Sequence, residues 1–107
     1  QQQDERNRNA MGSPMREKKI EQKLVKAVRG MDGLALKFVS PGFDGVPDRL
    51  ILLPHGRMAF AEIKSMGCKL RPMQVRRKRQ LEALGFSVYV IDGEEQIGGM
   101  LNDIQSS

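Results

Sequence analysis

Ile20, Leu24, Val28 and Met31 recur at steps of four, four and three, which lines one face of an amphipathic helix over Met15–Met31. Gly30 and Gly33 bracket its end, where a left-handed residue commonly stops a helix. Glu17 and Glu21 lie four apart and project from the same side of that helix, beside the apolar stripe. Leu34, Leu36 and Phe38 then alternate with Ala35, Lys37 and Val39, the period of a strand. Ser40–Pro47 carries two prolines and two glycines, so the backbone must turn and stay irregular there. Asp48–Leu53 and Arg57–Lys64 flank Pro54-His55-Gly56 as a hairpin, and Ser65–Arg71 is a connecting loop. Pro72 opens a second helix that runs through Gln74, Arg76, Arg77, Leu81 and Leu84 until Gly85 ends it. Phe86, Val88 and Val90 mark a last strand, and Glu94–Ile104 predicts a weak terminal helix interrupted at Gly98-Gly99. The predicted order is helix, three strands, helix, strand and a possible final helix.

The hairpin turn sets a register. Proline suits the first corner of a type I turn and glycine the left-handed position that follows, which makes a three-residue loop with a bulge. Leu53 then opposes Arg57 and Asp48 falls opposite Glu62, and because side chains alternate, Asp48, Glu62 and Lys64 emerge on one face. A two-residue loop would send Glu62 to the other face, away from the aspartate.

Composition narrows the class. With 107 residues, 39% hydrophobic and 29% charged, there is material for one modest domain and one thin core. No apolar run approaches the about 20 residues that a membrane-spanning helix needs, and the polar amino end does not resemble a secretory signal. Membrane insertion and secretion are both disfavoured. A lone Cys68 excludes an internal disulfide, and with His55 as the single histidine there is no ligand set for a structural zinc. These features indicate an intracellular, cytoplasmic protein. Residues 1–14 are poor in apolar side chains and end in a small-residue stretch typical of a cloning scar, so they are expected to be a tag or disordered leader, with one domain over 15–107. In that leader Asp4 and Glu5 offset Arg6 and Arg8, so the whole net charge of +5 belongs to the domain, which suits a polyanionic partner.

The chemistry concentrates on the hairpin. Carboxylates directly opposite each other on neighbouring strands repel unless a cation lies between them. A hard divalent ion such as magnesium takes one or two carboxylates and keeps waters for a phosphate substrate. Lys64, two residues past Glu62, is placed to hold or deprotonate an attacking water and to offset charge on the phosphate. An E-x-K tripeptide alone is more often just an exposed acidic-basic strand face. Its significance comes from the register and from the basic run Lys69, Arg71, Arg76, Arg77, Lys78 and Arg79 that follows, which suits a DNA backbone. No tryptophan and a single tyrosine leave little provision for base stacking, so phosphate and shape recognition should dominate. Gln74 shares a helix side with Arg77, Lys78 and Leu81, although a lone glutamine is equally a surface residue.

Gly45-Val46-Pro47-Asp48-Arg49, Phe60-Ala61-Glu62-Ile63-Lys64 and Arg71-Pro72-Met73-Gln74 with Arg76 and Arg77 together resemble the VRR-NUC domain of the PD-(D/E)xK nuclease superfamily. The likeness runs from about Glu17 to Ile91. It implies an α/β, restriction-endonuclease-like fold with an αβββαβ core, a mixed central sheet and flanking helices. It also implies Mg2+- or Mn2+-dependent cleavage of DNA and, for short stand-alone members, similarity to homodimeric resolvases of four-way (Holliday) junctions. Carried over, Asp48 and Glu62 match the metal-binding carboxylates and Lys64 the catalytic lysine. The main-chain carbonyl of Ile63 completes the metal shell, Gln74 matches a site-facing glutamine, and Glu21 matches a first-helix glutamate that reaches the metal or its water, with Glu17 as its rival. The departure is Phe43-Asp44, where a more basic loop is expected.

The leading expectation is therefore a metal-dependent endonuclease on branched or duplex DNA. Two alternatives remain: a nuclease that processes flaps or ends, and a catalytically silent DNA-binding module. A homodimer is expected, because a junction offers two symmetric strands and a small core gains from association.

Overall fold

The computed structural model describes the backbone of residues 2–107 and the side chains of residues 15–107, and the leader expected over residues 1–14 lies outside those described side chains. The chain runs α1 (Gln2–Gly30), β1 (Leu34–Lys37), β2 (Arg49–Leu53), β3 (Arg57–Ile63), α2 (Pro72–Ala83), β4 (Val88–Ile91) and α3 (Ile97–Ser106), with 3-10 turns at Pro54–Gly56 and Glu94–Gln96. The strands form one sheet in the order β1-β2-β3-β4. The first two pairings are antiparallel and β3 with β4 is parallel, so the sheet is mixed. A parallel return needs a crossover, and α2 supplies it. The element order is the one expected from the pattern of residues, and the mixed α/β architecture is the one the family resemblance implied.

One sheet face carries the core. Ile51, Leu53, Ala59, Ala61, Ile63 and Ile91 point to the face on which Ile20, Leu24 and Val28 of α1 close, and all are buried. These are the apolar positions at helical spacing in α1 and the alternate positions of β2 and β3, so periodicity and packing agree. The last helix goes further than expected. Gly98 and Gly99 do not interrupt α3, which buries Ile97, Met100, Leu101 and Ile104 in the same core. Each glycine costs a helix about 1 kcal/mol relative to alanine. Both glycines are exposed, so the four buried side chains at i, i+3, i+4 and i+7 keep their alignment and offset that cost.

The hairpin has the expected register, with Leu53 opposite Arg57 and Arg49 opposite Ala61. Its turn differs in detail: His55 as well as Gly56 adopts a left-handed backbone, with φ of 68° and 72°. The ladder stops at Arg49, and Asp48 continues in line, its carbonyl accepting the Phe38 N–H at 2.8 Å.

The second face is thinly covered. Phe38, Phe60 and Phe86 form an aromatic group there, with ring centroids 5.4 and 6.1 Å apart. Toward β1 that face is open, so the alternating apolar residues of β1 are not core: Leu34 is 58% and Leu36 44% exposed. Strand period locates a face but does not say whether anything covers it. If α3 is a core helix as described, Ile104→Ala destabilises the protein by about 2–5 kcal/mol in urea unfolding. A change within about 0.5 kcal/mol, as for a surface position, would show that α3 is dispensable.

Candidate active site

The hairpin register brings two acids together at the open end of β2 and β3. The Ile63 N–H donates to Asp48 Oδ2 at 2.9 Å, which fixes the aspartate carboxylate against β3. On the same face of the sheet the Glu62 side chain, only 3% exposed, is hydrogen-bonded to Asp48. Burial, that hydrogen bond and the charge of Asp48 push the Glu62 carboxyl up to about 8, while the cations of Lys64 and Arg71 pull it back down. Lys64 is half-buried just beyond β3, and its N–H donates to the Ile91 carbonyl at 2.9 Å. The strand alternation therefore carries Glu62 and Lys64 to one side while the backbone stays anchored to β4.

Gln74 is buried in the first turn of α2, 7% exposed, and its Oε1 accepts the Arg71 N–H at 2.9 Å. The glutamine thus caps the helix and pins Arg71, whose cation acts on Glu62. Lys69 and Arg71 lie exposed in the loop ahead of α2, and Arg76 and Arg79 are exposed on the helix. The other two members of the basic run are engaged within the chain. Lys78 Nζ pairs with Glu82 Oε2 at 2.9 Å, and Arg77 donates to the Asp44 carbonyl at 2.7 Å and to Gln80 Oε1 at 2.9 Å.

Glu21 does not join the pair. Its Oε2 accepts Arg49 Nε at 2.8 Å, and Arg49 also donates to the Ala35 carbonyl at 3.0 Å. The reason is alternation: Arg49 follows Asp48, so it points to the opposite sheet face, where α1 lies, and its guanidinium captures the nearest α1 acid. Glu17, the rival, accepts the hydroxyl of buried Ser65 at 3.2 Å and so lies beside the end of β3 next to Lys64. Among the described residues no group of three or more His, Cys, Asp or Glu converges to hold a metal.

Two features were not read from the residue pattern. The Arg49–Glu21 pair is foreseeable, because an arginine on the helix-facing side of a strand needs an acidic partner. The packing of Phe43 and Asp44 against Arg77 has no local signal, since an irregular loop has no period.

No family model matches the chain. A protein described as "Putative nuclease p44", from Acyrthosiphon pisum secondary endosymbiont phage 1, is 49% identical over 81 residues, covering 76% of this chain and 87% of the relative. A solved structure described as "VRR_NUC domain" superposes with a TM-score of 0.77 at 26% identity, covering 81% of this chain and 95% of that one. The superposition fits a restriction-endonuclease-like fold.

The raised carboxyl of Glu62 has a signed consequence for the metal-free protein. The folded state holds the proton more tightly than the unfolded chain, so the stabilisation is complete below the ordinary glutamate value near 4.5 and is lost as pH rises through about 8. Stability of wild type is expected to fall across that window, and Glu62→Gln to flatten the fall. Equal pH slopes for the two proteins in urea titrations would show that Glu62 titrates normally.

Proposed function

The chain belongs to the VRR-NUC nuclease family, and we propose that it is a metal-dependent DNA endonuclease that hydrolyses phosphodiester bonds in branched DNA such as four-way junctions, acting as a homodimer. The observation that carries this reading is the buried Glu62 carboxyl held against Asp48. Two acids forced together in a poorly hydrated position destabilise the metal-free fold, and structural uses of acids avoid such an arrangement.

The donor set fits a hard divalent cation. Asp48 and Glu62 supply two carboxylates from facing backbone segments, within the one or two that magnesium or manganese usually takes, and the main-chain carbonyl of Ile63 lies between Glu62 and Lys64. Those three groups would hold the ion, and Glu21, paired with Arg49, is not assigned to it. When bound, the cation supplies Lewis-acid polarisation of the scissile phosphate. Lys64 orients the attacking water and offsets the negative charge that grows on the phosphate oxygens. Asp48, fixed by the Ile63 N–H, keeps its carboxylate in place without rearrangement during the reaction. Gln74 holds Arg71 at the mouth of the site, where a cation attracts phosphate.

DNA approach is supported by Lys69, Arg71, Arg76 and Arg79, exposed on and ahead of α2. Self-association is supported by the open sheet face, where Leu34, Leu36 and Met58 are 58%, 44% and 37% exposed. Two copies would present two sites to the two symmetric strands of a junction. Among the described residues no helix is long and apolar enough to cross a membrane.

Wild type is expected to cut a labelled four-way junction in Mg2+ or Mn2+, in preference to flap, duplex and single strand. Asp48→Ala abolishes cutting and Lys64→Ala slows it by about 10²–10⁴, while both still bind the junction. Normal cutting by either variant would remove the assigned chemistry and leave a DNA-binding scaffold. Sedimentation at micromolar concentration should give a dimer, and a monomer with full activity would remove the two-site arrangement.

A further inference from the structure

We propose that Arg77 is a positioning residue that latches the Ser40–Pro47 loop onto α2, so that Asp48 leaves the loop in the orientation the cation requires, and that it is not a DNA contact. The proposal rests on the metal-dependent reading above. The Arg77 guanidinium is used on three sides: Nε donates to the Asp44 carbonyl at 2.7 Å, Nη1 donates to Gln80 Oε1 at 2.9 Å, and its carbon sits 3.6 Å from the centroid of the Phe43 ring. A guanidinium stacked on an aromatic ring and bonded to a main-chain carbonyl has lost the open fork that grips a phosphate.

The loop meets α2 at a second point. Gly45 has φ of +85°, and a Cβ there would fall 2.7 Å from the Met73 carbonyl oxygen in the first turn of the helix. Glycine is required both by the left-handed backbone and by that approach. Beyond Gly45 the chain passes through buried Pro47 into Asp48. The Phe43 N–H to Ser40 carbonyl bond turns the loop, the Phe38 N–H to Asp48 carbonyl bond closes its base, and the Arg77 latch and the Gly45 contact seat it on α2. Phe43 and Asp44, out of character in a loop expected to be basic, are thereby explained: one supplies the ring and the other the carbonyl that seat Arg77.

The full-length protein tests this with Arg77→Ala, Arg77→Lys and Phe43→Leu, and with Arg79→Ala as a control in the exposed basic run. Three quantities are measured: Mn2+ affinity by calorimetry without DNA, junction affinity in EDTA against salt concentration, and amide exchange of the 40–48 segment in the metal-free protein. The latch variants, lysine included because it keeps the charge without the planar fork, are expected to lose about tenfold in Mn2+ affinity and to exchange faster over residues 40–48, with the salt slope of DNA binding unchanged. Arg79→Ala should show the reverse, a slope reduced by about one at unchanged Mn2+ affinity. Unchanged exchange in Arg77→Ala, unchanged Mn2+ affinity, or a salt slope lowered by about one would each overturn the proposal. Absence of Mn2+ binding by wild type, with exchange still accelerated in the variants, would overturn the metal-dependent reading and not the latch.

Discussion

The structure turns on a repulsion. The register of one hairpin carries Asp48, one residue beyond the β2–β3 ladder, to the end of β3 beside Glu62, and the fold buries the glutamate. Burial first, then the hydrogen bond and the charge of Asp48, push the Glu62 carboxyl up to about 8, so a proton eases the conflict in metal-free protein. A divalent cation would ease it better, because it offsets both charges and keeps the carboxylates ionised. The same burial that disfavours two ionised acids here would favour the proposed ion at this position over the exposed acids elsewhere on the chain.

Around that pair the fold divides its work by sheet face. The α1 and α3 side carries the core and takes up Arg49 together with Glu21, so the strand residue that follows Asp48 is held on the opposite face from the acid pair. The α2 side carries Asp48, Glu62, Lys64 and the aromatic group of Phe38, Phe60 and Phe86; it is covered around Glu62 and Phe60 and open toward β1. The polar half of that face is proposed to meet DNA and the apolar half, with Leu34 and Leu36, a second copy of the chain.

Much of this was legible in the residues because period and turn chemistry are local. Pro54-His55-Gly56 sets the hairpin register, alternation then sends Glu62 and Lys64 to one face, and the Ile20-Leu24-Val28 stripe marks the buried side of α1. Where expectation and structure part, the missing information was tertiary. Glu21 and Glu17 have the same helical phase beside the stripe, and spacing could not say that Arg49 would reach one and Ser65 the other. Leu34 and Leu36 alternate as core residues do, yet they stay exposed among the described residues. Gly98-Gly99 looked like a break, but the four apolar residues around them share one helix face and pack. The engagement of Arg77 by Phe43 and Asp44 is a contact between a loop and a helix, which no local pattern announces.

The most direct test of the acid pair is the proton count on metal binding. Calorimetric titration of wild type with Mn2+ near pH 7, repeated in buffers of different ionisation enthalpy, should show saturable binding at one site with release of about one proton, as Glu62 ionises. Glu62→Gln should bind more weakly and release none. Tight Mn2+ binding without proton release, or equal binding by the Gln variant, would contradict a shared cation between Asp48 and Glu62.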